Sequence, residues 1–365
     1  MKKSFAVLLL ILVFTNVQGQ GKKQNLIIGT YTKGCESKGI YVYDFDSKTG
    51  NFNFKNSSEN VVNPSYLTVS KDNKFIYAVN EDGNESAVSS FGFNSSNGEL
   101  NFMNKQSSKG ADPCYIINDD KNVIIANYSG GNISVFGKNS DGSIAQAKQV
   151  VGQNNKRKEK SNAHMVYFSP DKKYVLSNNL GNDKVYTYQY NPNSDSEVLR
   201  VTDSVSVKSG SGPRHLTFSK DGKFVYLLQE IDGSLTIFSY KEGSLKQIDI
   251  TTVLAKGASQ EGASADIHIS PDGKFLYATN RGKANDISIF KIAKNGKLEF
   301  KGQTSTLGKG PRNFAIDPSG NFLLVAHQYT NDVVIFKRNK TTGALTDTGK
   351  RITLCSPVCL VFTKE

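Results

Sequence analysis

Tryptophan is absent from the 365 residues, which hold only 4 Cys, 4 His and 3 Met. Four cysteines in a chain this long exclude a small disulfide-built scaffold. The histidines are scattered, with no H-x-x-E-H or H-E-x-x-H spacing, so neither a metal nor another cofactor is expected. A G-x-S-x-G elbow is missing, and so is a Gly-rich phosphate loop ahead of a helix. What is present is 37% hydrophobic and 10% aromatic residues, enough to bury a core and too much for a disordered chain. With 32 Gly and abundant Asn, the balance favours strands and turns.

Lys2 and Lys3 precede an apolar run from Phe5 to Phe14, followed by a short polar stretch ending near Gly19. This is the layout of a signal peptide over residues 1–19, and the run is short for a bilayer span. The expected product is an exported, periplasmic or secreted chain over 20–365, with no membrane attachment after cleavage. An uncleaved anchor is the alternative reading of the same flanks. The formal net charge is +12. The basic run Lys156–Arg157–Lys158–Glu159–Lys160 lacks interleaved aromatics, so no nucleic-acid partner is expected and a solvated loop is the simpler reading. The positive field favours small anionic molecules.

One segment recurs six times: K-D-N-K-F-I-Y-A-V-N (71–80), N-D-D-K-N-V-I-I-A-N (118–127), P-D-K-K-Y-V-L-S-N-N (170–179), K-D-G-K-F-V-Y-L-L-Q (220–229), P-D-G-K-F-L-Y-A-T-N (271–280) and P-S-G-N-F-L-L-V-A-H (318–327). Their ends lie 47, 52, 50, 51 and 47 residues apart, so the mature length holds seven units. Each unit reads as four strands with a D-G-type hairpin between the first two, the pattern of a β-propeller blade. In the seventh unit, Asn25–Thr30 and Ile40–Tyr43 resemble second and third strands, and Val358–Phe362 near the C-terminus supplies the missing first. The expectation is an all-β, seven-bladed β-propeller with four-stranded blades, closed where the C-terminal strand joins the N-terminal blade. Closure removes the open sheet edge.

In a blade the start of the first strand and the end of the second share one face of the ring. Aligning the repeats gives two columns there. The first is Ser65, Cys114, His164, Arg214, Ala265, Arg312 and Val358, and the second is Thr32, Glu81, Tyr128, Leu180, Glu230, Arg281 and Gln328. Neighbouring positions are uniform, usually Pro before the first column and Asn before the second. His164, Arg214, Glu230, Arg281 and Arg312 fall in successive blades, on one arc of the mouth. An ion network holding blades together is one explanation. A site is the other, because an imidazole or carboxylate takes a proton from water and guanidiniums hold a carboxylate, phosphate or oxyanion.

Gly29–Thr30–Tyr31–Thr32, Asn63–Pro64–Ser65–Tyr66, Ala126–Asn127–Tyr128, Gly212–Pro213–Arg214–His215, Asn280–Arg281–Gly282 and the run Gly310–Pro318, in this order and spacing, resemble the seven-bladed propeller lactonase family. That family includes propeller-type 6-phosphogluconolactonases and fungal carboxy-muconate cyclases. The resemblance implies catalytic roles for His164, Arg214, Arg281 and Glu230, with Arg312, Gln328, Glu81, His215 and Asn162 as candidate substrate-binding residues. Asn162 stands where the family often has a His, Tyr115 replaces the His of Pro-Cys-His, and His327 replaces the Asn of Ala-Asn-Gln. The implied activity is metal-independent hydrolysis of an anionic sugar lactone. Glu230 or His164 is the expected base, charged His164 the expected acid for the leaving alkoxide, and the arginines the carbonyl-binding groups. Glu230→Gln and His164→Ala are each expected to lower turnover at least tenfold while leaving the melting transition nearly unchanged. Alternatives are a non-catalytic propeller binding carbohydrate or protein, and a muconate-type cycloisomerase. Cys355 and Cys359 are expected as buried thiols, although export permits a disulfide that the sequence does not assign, and His268 is expected to be structural.

Overall fold

The computed structural model describes residues 23–59, 61–153, 160–255, 257 and 263–363. The segment expected to be a signal peptide lies outside the described residues, as does most of the basic run near 157. Strands β1–β28, numbered along the chain, form seven antiparallel four-stranded sheets. Six sheets use four consecutive strands. The seventh has the order β28-β1-β2-β3, joining β28 (Pro357–Phe362) to β1 (Lys23–Thr30), β2 (Ile40–Asp46) and β3 (Phe52–Ser57). The expected seven-bladed propeller, closed by the two ends of the chain, is therefore the fold.

The innermost strands are β4 (Leu67–Val69), β8 (Pro113–Asn118), β12 (Ala163–Phe168), β16 (Pro213–Phe218), β20 (Ser264–Ile269), β24 (Pro311–Ile316) and β28. Proline opens four of them, at a first-strand position where its missing N–H is not needed by the ladder. The second strands, such as β17 (Phe224–Gln229), are packed on both faces and read as continuous apolar runs. The outermost strands alternate exposed and half-buried residues, as in β19 (Ser244–Thr252).

The recurrent hairpin is locked by side chains. Ser219 donates its hydroxyl to Asp221 Oδ1 at 2.6 Å and accepts from the Phe224 N–H at 3.0 Å. The same pair of bonds recurs at Ser70, Ser169 and Ser270. Blades are tied by tyrosines: Tyr77, Tyr226 and Tyr277 donate to the carbonyls of Gly142, Gly296 and Gly343 in the following blade. Gly296 (φ +80°) is required twice over. Its backbone is left-handed, and a Cβ there would meet the Phe224 ring at 2.4 Å.

Cys35 and Cys355 form a disulfide, which corrects the expectation of a thiol at Cys355. Cys355 precedes the closing strand and Cys35 lies in the loop after β1, so the fold brings together residues 320 apart in sequence. The spacing of the two cysteines carried no signal of this pairing. Cys359 is a buried free thiol. The disulfide reinforces the closure that β1 and β28 make by hydrogen bonding. Reduction, or Cys35→Ser, is expected to cost about 2–4 kcal/mol. The loss is read as a lower melting temperature, with the β circular dichroism spectrum retained below the transition.

Candidate active site at the propeller mouth

The first column of mouth residues owes its direction to a β-bulge. In β16, Pro213 pairs with Gln229 and His215 with Leu228, so Arg214 is an extra residue outside the ladder. Cys114, His164, Arg312 and Val358 are extra in the same way, and β20 shifts register between Ser264 and Ile267. A bulge turns two consecutive side chains toward one face. Each of these six strands thus sends one residue to the mouth and the next into a tier beneath it, whereas β4 pairs without a shift.

His164, Arg214, Glu230 and Arg281 come together on one arc of the mouth. Glu230 lies between two guanidiniums, with Oε2 at 2.8 Å from Arg214 Nε and Oε1 at 3.0 Å from Arg281 Nη2. Arg214 is 2% exposed, and its Nη1 also donates to the Ala265 carbonyl. Arg281 Nε donates to the Ala263 carbonyl at 3.0 Å. His164 is buried between the rings of Tyr128 and His215, at centroid distances of 5.5 and 5.2 Å. Its Nδ1 finds no hydrogen-bond partner among the described residues.

The electrostatics divide the roles. Burial pushes Glu230 toward protonation, but Arg214, Arg281 and Arg312 outweigh it and hold the carboxyl below its usual range. Burial, followed by Arg214, His215, Arg312 and Arg281, drives His164 well below 6.5. His164 is therefore neutral in the resting protein at pH 7, so it is set to accept a proton before it can donate one. Burial and Arg214 lower Arg281 to about 10, which still leaves it charged.

The other candidates divide by tier. Arg312 lies further round the mouth, over the Tyr31 ring at 5.5 Å. The Tyr31 hydroxyl donates to Glu81 Oε2 at 2.9 Å. Gln328 and Glu81 line a cavity on that side. Asn162 is buried, with its amide donating to the Tyr128 carbonyl, so it fastens a loop beside the site. His215 sits in the lower tier, 2% exposed, with Arg214 Nη1 at 3.2 Å from its Nε2 and Asp266 Oδ1 at 2.8 Å from its Nδ1. It floors the site rather than facing the opening.

Asp266 was not singled out in the sequence. It is buried and receives His215, His268 Nε2 at 2.9 Å, Asn313 Nδ2 at 2.6 Å, and the N–H groups of Ile267 and Phe314. Its signal was a carboxylate in the middle of an inner strand, next to Ala265 and Ile267, a placement that demands partners. Despite burial, His268 and His215 hold it far below the usual carboxylate range. Tyr31 was missed as well, because an aromatic residue after a strand carries no signature of its own.

Residues 25–362 match the family described as Lactonase, 7-bladed beta-propeller. The chain belongs to this family. Among its relatives, a 6-phosphogluconolactonase of Formosa agariphila is 35% identical over 332 residues, covering 88% of this chain and 94% of its own. Two solved structures superpose closely on this lactonase-family propeller. A proposed 6-phosphogluconolactonase of Bacteroides fragilis is 43% identical with a TM-score of 0.89, covering 94% of this chain and 98% of its own. The periplasmic gluconolactonase PpgL of Pseudomonas aeruginosa is 32% identical with a TM-score of 0.88, covering 94% and 99%.

Proposed function

We propose that this propeller is an exported lactonase that opens a sugar lactone with water, with His164 as general base. The observation that carries the reading is the Arg214–Glu230–Arg281 bridge beside a neutral, buried imidazole at the mouth. Both Glu230 oxygens are engaged by guanidiniums, which makes the carboxylate a poor base and a good anchor. His164 takes a proton from water as the oxygen attacks the lactone carbonyl. Arg214 and Arg281 hold the oxygen that becomes negative. The ring C–O bond then breaks, and the imidazolium formed in the first step returns its proton to the departing alkoxide. A 6-phosphogluconolactonase and a periplasmic gluconolactonase among the relatives support the substrate class, and the latter supports export.

The test is acid release by the pure protein from fresh glucono-δ-lactone and 6-phosphogluconolactone, followed above the spontaneous rate from pH 5 to 8. Because His164 is held below its usual range, the base stays deprotonated as pH falls through 6.5, and kcat/KM keeps its neutral-pH value there. His164→Ala is expected to lower kcat at least tenfold. Acid release no faster than the spontaneous rate from either lactone removes the enzyme reading and leaves the bridge as a clamp between blades.

A further inference from the structure

The mouth has a second half that the proposed chemistry does not use. Across from the reactive arc, the blades at the chain ends frame a cavity of about 550 Å³. Its walls include Tyr31, Glu81, Asp82, Asp112, Gln328 and Tyr329. The two halves meet at Arg312, which lies over the Tyr31 ring in the cavity wall, and Tyr31 is itself bonded to Glu81.

Three features define what it would bind. The first is size: pockets of about 300–1,000 Å³ hold drug-sized molecules, so this one exceeds what a single hydroxymethyl arm needs. The second is an aromatic platform. Tyr329 is 66% exposed, the largest exposure among the described large apolar and aromatic side chains, yet it is held in place. Its N–H donates to the Lys309 carbonyl, and its ring lies so close to Gly310 that a Cβ there would approach it to 2.5 Å. One side of the ring is backed by main chain and the rest is open. The third is charge. The cavity lining holds one cation, Lys33, against the carboxylates of Glu81, Asp82 and Asp112, with Arg312 over Tyr31 at its inner edge. Lys33 is already at 2.5 Å from Asp82. A phosphate placed here meets like charge, whereas neutral hydroxyl groups meet carboxylate acceptors and an amide beside an aromatic face.

We infer that this cavity is a subsite for an uncharged sugar unit, and that the preferred substrate is a glycosylated aldonolactone rather than a phosphorylated one. The lactone ring lies over His164 and the two arginines, and the attached glycosyl unit reaches past Arg312 into the cavity. The inference rests on the lactonase reading and departs from the anionic substrate expected from the sequence.

The experiment compares initial rates on glucono-δ-lactone, 6-phosphogluconolactone, and the δ-lactones of maltobionic and cellobionic acids, which differ in their glycosidic linkage. The expected result is a kcat/KM at least tenfold higher for one glycosylated lactone than for glucono-δ-lactone. In Tyr329→Ala and Gln328→Ala that ratio is expected to collapse to within threefold, through a higher KM on the glycosylated lactone with its kcat retained. Equal rates on plain and glycosylated lactones overturn the subsite while leaving the lactonase standing. A preference for the phosphorylated lactone, or a glycosyl preference that survives both substitutions, overturns it too. Spontaneous rates on all four compounds overturn the lactonase reading and the subsite with it.

Discussion

Glu230→Gln is expected to lower kcat/KM at least a hundredfold and to destabilise the fold by about 3 kcal/mol. The carboxylate is the only negative group bonded between Arg214 and Arg281 in the described ion pairs. Neutralising it leaves two partly or fully buried guanidiniums facing each other without compensation. Removing one partner of a buried ion pair costs about 3–5 kcal/mol, and the low end applies because the Glu230 side chain keeps 26% exposure. The loss of activity has a separate origin. In the proposed mechanism Arg214 and Arg281 hold the developing oxyanion only if they are aimed at it, and losing one such donor costs about 10²–10³ in rate. The expectation of an unchanged melting transition, drawn from the sequence, gives way to the two distances across the bridge. Thermal melts and initial rates on the same preparation decide the matter. An unshifted melting temperature in an inactive Glu230→Gln variant would mean that the carboxylate takes part in the chemistry and anchors nothing.

Asp266→Ala is expected to cost more stability, about 4 kcal/mol. The side chain is fully enclosed and satisfies five donors from three blades. Truncation strands two imidazoles, an amide and two backbone N–H groups; at about 1–3 kcal/mol each their sum exceeds this figure, and water entering the vacated space recovers the difference. It also frees His215 from the bond that fixes its ring beneath Arg214 and beside His164. Urea denaturation of Asp266→Ala and Asp266→Asn checks this. The Asn variant retains an acceptor and is expected to recover part of the loss. If the alanine variant unfolds at the wild-type urea concentration, the lower tier does not hold the ring together.

The fold was legible because its signal is repeated. Six hairpins at near-constant spacing fixed the blade, and the unmatched strands at the two ends fixed the closure. The four candidate catalytic residues were legible as positions, since a repeat alignment converts sequence columns into one face of the ring. Their interactions were not. Nothing in the sequence distinguishes an arginine that faces solvent from Arg214, which is buried with Glu230 as its counter-ion. The split into tiers was hidden for a more specific reason. An ordinary strand sends alternate residues to opposite faces, so Arg214 and His215 could not both be placed toward the axis without the bulge. That extra residue turned His215 from the opening to the floor. The Cys35–Cys355 bond depends on ring closure, which no local spacing encodes.

Because the residue at each bulge stands outside the ladder, it is exchangeable. A substitution at position 114, 164, 214, 312 or 358 alters what the mouth presents without slipping any strand against its neighbour. The propeller is thus a socket with separately replaceable fittings. A lineage can change the chemistry of its mouth by single substitutions while the seven sheets stay in register.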